Sequence, residues 1–276
     1  MSQHVILTFE RFKYLKWAGL LCGVSILAYI LHEPPVEPNG GTWLGYTLGT
    51  IGALLIVWLL LFGVRKRAYQ SNLGTVRGWL SAHVYLGLAL ALVATLHAGF
   101  EFGWNVHTLA YVLTMAVIAS GVWGVVVYAR NPSLMSDMLG GRTLQQHGAS
   151  LRETDAACRA LAKELPVDIQ QWVAKVADSP IFESRWQEFS GRNAQCVTAA
   201  AIAALSNRPT SGEAPAQRNL VELNTALLRR ARMLDHIRSF VRLKRWVEVW
   251  LMFHVPLSLG LLASLIAHIV SVFIYW

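Results

Sequence analysis

The sequence predicts an all-α integral membrane protein, with five transmembrane helices and a helical insertion ahead of the last. Three observations carry that prediction. First, 54% of the 276 residues are hydrophobic and 14% are charged, against about 45–50% and about 25% in typical soluble domains. Second, crossing the hydrocarbon takes about 20 apolar residues in a helix, and stretches near 14–31, 44–64, 79–98, 108–128 and 247–275 qualify. Third, all 24 Lys and Arg fall in residues 11–16, 65–77 and 130–245. The intervals between are free of cations.

Taken in order, span one runs to Leu31 and meets "HEPPVEPNGG" with no small-residue cleavage site, so it is expected to be a retained helix and not a signal peptide. Spans two, three and four follow with short connections. Residues 130–245 then interrupt the pattern before span five. Within them "SLRETDAACRALAKEL" opens on a capping box, Ser150 to Glu153, and Pro166 ends it. "VDIQQWVAKVA" and "NAQCVTAAAIAAL" are further helix candidates, and "NRPTSGEAPAQ" at 207–217 is the expected linker. From Asn219, apolar residues including Leu220, Leu223, Leu227, Leu234, Ile237 and Val241 recur at helical spacing. That amphipathic helix should run into span five near Trp246. The expected division is 1–129 for spans one to four, 130–245 for the insertion, and 246–276 for span five.

Charge sets the expected orientation. Loops at 32–43 and 98–107 hold Glu33, Glu37 and Glu101 but no Lys or Arg, so the positive-inside rule puts the N-terminus and the 130–245 insertion in the cytoplasm. The C-terminus then lies outside, in a protein of the inner (plasma) membrane whose first partner is the lipid bilayer. Topology accounts for the basic balance, and no nucleic acid is implied. Neither GxGxxG nor GxxxxGK occurs, which gives nucleotide binding no support. Cys22, Cys158 and Cys196 form no CxxC, so iron–sulfur or covalent haem attachment has no motif.

The chemistry resides in histidine. "HVYLGLALALVATLH" (83–97) and "HVPLSLGLLASLIAH" (254–268) share a His-to-His interval and six identical positions. Fourteen residues rise about 21 Å and fall about 40° short of four full turns, so both histidines of each pair share a face. Spans three and five run in the same direction. His83 therefore matches His254 near the cytoplasmic end, and His97 matches His268 near the outer end. Intramembrane ionisable residues are functional candidates, and haem iron accepts two axial imidazoles. Two haem b groups, one held by His83 and His254 and one by His97 and His268, use all four residues as iron ligands. The competing account is that these histidines only hydrogen-bond between helices. Zinc lacks a nearby Asp, Glu or Cys to complete a site.

Weaker features surround them. Gly45, Gly49, Gly52, Gly87, Gly121 and Gly124 could clear space for a flat macrocycle or let helices approach. Arg65, Lys66, Arg67, Arg77, Arg130, Arg242, Lys244 and Arg245 ring the cytoplasmic ends and include candidate propionate partners. Outside, only Trp104, Asn105, His107, backbone amides and water are offered. His4, His32, His147 and His236 are expected to face solvent.

Two His-x13-His helices separated by one ligand-free helix resemble the four-helix dihaem core of cytochrome b from quinol-oxidising bc complexes, and the similar core of transmembrane ferric reductases and NADPH oxidases. The resemblance covers residues 44–129 and 246–276 and rests on the four histidines. It implies a four-helix dihaem bundle and transmembrane electron transfer. No "PEWY" or "PDWY" occurs, so the outer quinol-oxidation site of bc complexes is not implied. After the last helix no flavin or NAD(P)H module is expected, and the 130–245 insertion departs from both families.

The expected function is a dihaem cytochrome b subunit. It would pass electrons across the membrane between an acceptor and a redox partner or the quinone pool. It would be an electron-transfer subunit of a membrane oxidoreductase complex, not a complete enzyme, with no catalytic residue of its own. The insertion carries 17 Lys and Arg against 11 Asp and Glu, and is expected to dock a soluble or peripheral redox protein. The alternative is a non-redox scaffold or anchor whose insertion docks a partner. A transporter is disfavoured, because no Asp, Lys or Arg sits mid-membrane; Pro256 is the one kink signal in span five.

Overall fold

The computed structural model describes residues 6–34, 39–68, 72–129, 144–190, 197–206 and 214–274. Among these, every regular element is helical. A 3-10 turn, Ile6–Thr8, precedes α1 (Lys13–Leu31), α2 (Trp43–Arg67), α3 (Val76–Ala98) and α4 (Val106–Ala129). Then come α5 (Leu144–Ala162), α6 (Val167–Asp178), α7 (Arg185–Ser190), α8 (Val197–Ser206) and α9 (Ala214–Ile274). The chain divides into two compact units: Met1–Ala129 with Val249–Trp276, and Arg130–Glu248.

Five helices are long and apolar enough to cross a membrane: α1 to α4 and α9. They read as spanning segments because their apolar side chains face outward as well as inward. In α1, Trp17, Leu20, Val24 and Leu27 are each 57% exposed, an apolar surface of the kind that lipid covers at low cost.

In the first unit α3 is central and packs against α1, α2 and α4. Its ends are fixed locally. Thr75 caps the start, its hydroxyl accepting from Gly78 N at 3.1 Å, and Gly99 at φ 60° takes the left-handed turn that ends the helix. Thr42 caps α2 in the same way, through Gly45 N at 3.0 Å. Leu44 and Leu48 of α2, Val93 and Leu96 of α3, and Leu21 and Ala28 of α1 form one core. A second core brings four helices together: Ile56 of α2, Leu90 of α3, Leu261 and Leu265 of α9, with Leu113 and Val117 of α4 against them.

The second unit has an ordinary aqueous-type core. Cys158, Ile169, Val173, Val176, Ala201, Leu223 and Leu227 pack together. Beside it Leu151, Leu234, Ile237 and Val241 form a smaller cluster, which draws on the same heptad-like run from Leu220 to Val241. Arg230 is 1% exposed; its Nε donates to Asp155 at 2.5 Å and its Nη1 to the Thr198 hydroxyl. Burial pushes the Cys158 thiol up to about 11, with Asp155 adding to the shift and Arg230 opposing it.

Two local expectations change. The capping box at Ser150 does not open a helix, because α5 begins at Leu144. Residues 144–149 contain no proline, so the helix propagates back through them, and the Thr154 hydroxyl donates to Ser150 O inside it at 3.0 Å. Of the expected 207–217 linker, the stretch from Ala214 is already the first turn of α9; residues 207–213 lie outside the described residues.

Candidate functional site

His83 and His97 lie on α3, and His254 and His268 on the part of α9 that belongs to the first unit. Leu90 is midway between the first pair and Leu261 midway between the second, and these two leucines are buried in one cluster with Ile56 and Leu265. The midpoints of the two intervals meet. Each α3 histidine therefore sits at the height of one α9 histidine, and an apolar plug separates the two levels.

At one level the His97 and His268 ring centroids are 6.0 Å apart with planes at 85°. A metal held between two ring nitrogens at about 2 Å each puts the centroids about 6 Å apart. The remaining ring nitrogens already have partners. His97 Nδ1 donates to the Gly45 carbonyl at 2.8 Å, and His268 Nδ1 shares a 2.6 Å hydrogen bond with His107 Nδ1. Metal-bound histidines are held in this way, with the second ring N–H on a carbonyl or side chain and the other nitrogen free. Gly49 makes the approach possible, since a Cβ there would lie 2.7 Å from His97 Cε1.

A cavity of about 910 Å³ opens at this level, lined by Gly49, Gly52, His97, Tyr111, Thr114 and His268 among others. It suits a large flat ligand. Its polar rim is Asn39, Asn105, Thr108 and Glu101, with no Lys or Arg. Acidic groups of a ligand would meet the amides and the hydroxyl there and would have to avoid the Glu101 carboxylate.

At the other level His254 lies within electrostatic reach of His83. His254 Nδ1 is 2.6 Å from the Ser120 hydroxyl, and that hydroxyl donates to Val117 O at 2.7 Å, so it accepts from the imidazole. The Trp250 ring lies 5.0 Å from the His254 ring, and its indole N–H donates to Ser120 O at 2.7 Å. Gly124 clears that indole, which a Cβ would meet at 2.6 Å. His83 packs 5.1 Å from Phe62, and its Nδ1 is buried without a hydrogen-bond partner. The orphaned buried nitrogen of His83 at one level and the two imidazoles with centroids 6.0 Å apart at the other are features that imidazole-ligated haem would fit.

Among the described residues, no three His, Cys, Asp or Glu side chains converge as a metal site. Two imidazoles per level suit a metal that brings its other ligands with it, and do not suit zinc held by protein alone.

Several expected roles are revised. His107, offered as an outer propionate partner, sits edge-on to His268 with centroids 4.5 Å apart. Gly45 leaves room for the Asn39–Gly40 backbone, not for a ligand. Arg65 is only 8% exposed and clamps the α2–α3 loop, donating to Gly74 O at 2.6 Å and Ala68 O at 3.1 Å. His32, His147 and His236 are half-buried, not solvent-facing. His32 packs edge-on to Trp43 at 5.0 Å, and His147 lies 5.1 Å from His236. His4 and Cys196 lie outside the described residues.

Sequence reading missed Ser120, Trp250 and the Gly45 carbonyl. A lone serine in an apolar span signals that a partner exists, but not which one. Comparison with protein-family models, with curated proteins and with solved structures returns no match.

Proposed function

We propose that this chain is a dihaem cytochrome b subunit that carries electrons across a membrane. The carrying observation is the His97–His268 pair, 6.0 Å apart, with each Nδ1 engaged and each Nε2 left for iron. Haem, when bound, supplies the one-electron couple. The chain's own residues do the rest. α3 and α9 present four imidazoles at two levels set about 21 Å apart by helix rise. Leu90, Leu261, Ile56 and Leu265 fill the space between the levels and exclude water. In this reading the His83–His254 level faces the cytoplasm, by the placement of Lys and Arg. A soluble redox protein docks on the basic 130–245 segment, or quinone exchanges electrons within the bilayer.

The interhelical bonds Ser120–His254 and His107–His268 favour a second reading. In it the histidines only tie helices together in a non-redox scaffold. A reduced-minus-oxidised spectrum of the purified protein separates the two. The dihaem reading expects a b-type spectrum with two haems per chain. His83→Ala or His254→Ala should remove one, and His97→Ala or His268→Ala the other. A folded, colourless preparation would leave the scaffold.

A further inference from the structure

We propose that α4 orients the two α9 ligands: His107 is the positioning residue of His268, and Ser120 is the positioning residue of His254. This rests on the dihaem reading above and adds to it the groups that decide which imidazole nitrogen meets iron.

α4 and the membrane part of α9 run antiparallel, so the start of α4 meets the end of α9. His107 reaches His268 at 2.6 Å and Ser120 reaches His254 at 2.6 Å. Both contacts are made to Nδ1. An imidazole nitrogen that carries a proton cannot bind a metal, so a ligand using Nε2 must keep its proton on Nδ1.

At His254 the proton count closes. The single Ser120 hydroxyl proton is given to Val117 O at 2.7 Å, so the oxygen can only accept from His254, and the imidazole proton belongs on Nδ1. At His268 one proton lies between two Nδ1 atoms. With His268 as donor its Nε2 is free, and His107 accepts while keeping its own proton on Nε2.

The α3 ligands are arranged differently. His97 is held by a backbone carbonyl, Gly45 O at 2.8 Å, which no side-chain replacement removes. The Nδ1 of His83 is buried without a partner. Control of ligand orientation by side chains is thus confined to α9, and α4 exerts it once at each level.

A ligand imidazole whose Nδ1–H is engaged is the more basic one and favours ferric iron. Such partners are worth about 10–100-fold in metal affinity. Their loss should raise the midpoint potential, and a tenfold loss of preference for ferric over ferrous iron reads as about 59 mV for a one-electron couple.

The test is a spectroelectrochemical titration of the purified full chain. His107→Ala should raise the potential of the haem that His268→Ala removes, and leave the other in place. Ser120→Ala should do the same for the haem that His254→Ala removes. His107→Gln, which offers an acceptor oxygen in place of the imidazole nitrogen, and Ser120→Thr, which keeps the hydroxyl, should return each potential towards its starting value. Two haems at unshifted potentials in both alanine variants would overturn the assignment while leaving the dihaem reading intact. A shift in the wrong haem would also overturn it. A haem lost from an alanine variant supports the assignment if the conservative variant restores it, and refutes it if not. No haem in the unsubstituted protein removes the dihaem reading itself.

Discussion

Gly49→Ala is the smallest change that reaches a candidate ligand. The new Cβ would lie 2.7 Å from His97 Cε1 and 2.9 Å from its Nδ1, whereas carbon atoms rest about 3.5 Å apart or more. The ring must therefore retreat from α2 by about 0.8 Å. That retreat lengthens the 2.8 Å bond to Gly45 O towards about 3.6 Å, where it no longer counts as a hydrogen bond. Overpacking of this kind costs about 1–3 kcal/mol, and the lost hydrogen bond about 1 kcal/mol more. At about 1.4 kcal/mol per factor of ten, haem affinity at this level should fall by roughly 30- to 1,000-fold. Haem per chain, measured by pyridine haemochrome on purified protein, should drop from two to one, and the haem lost should be the one that His97→Ala removes. Gly19→Ala in α1 is the control, since nothing lies within 4 Å of its Cβ, and it should keep both haems. Two fully bound haems in Gly49→Ala would refute the reasoning from close approach.

Two further outcomes are expected. In a variant with Cys158 as its only thiol, a pKa of about 11 leaves roughly a thousandth as thiolate at pH 8. A disulfide reagent should then react slowly until denaturant exposes the core, and rapid reaction of the native protein would contradict the packing around Leu227. On a cysteine-free background, Asn39→Cys should label with an impermeant reagent from outside intact cells, and Val221→Cys, at a position 67% exposed, only after lysis. The reverse pattern would invert the orientation drawn from Lys and Arg.

Much of the fold was legible because its signals are local. Hydropathy averaged over about 20 residues marks a spanning helix wherever it ends up, so the five apolar segments coincide with α1 to α4 and the end of α9. The interval from Leu220 to Val241 likewise announces a helix whose Leu223, Leu227, Leu234 and Ile237 are buried. The capping box at Ser150 misled for the same reason. It is a local start signal that residues 144–149 had no cause to obey, since a helix costs little to extend through residues that tolerate it.

The four histidines were equally readable, because a fourteen-residue interval fixes both their face and their rise before any tertiary structure forms. What surrounds them was not. His97 meets the carbonyl of Gly45, Ser120 meets His254, and His107 meets His268 across 161 positions. Each of those partnerships depends on the rotation and depth of one helix against another. Helix rotation and depth are decided by side-chain packing at the core where Leu90 and Leu261 touch, and a hydrogen bond a few tenths of an ångström long or short follows from that packing alone. The sequence by itself determined that four histidines share helix faces at matched intervals; only the tertiary structure decided that Nδ1 of His97, His254 and His268 is already taken while that of His83 is not.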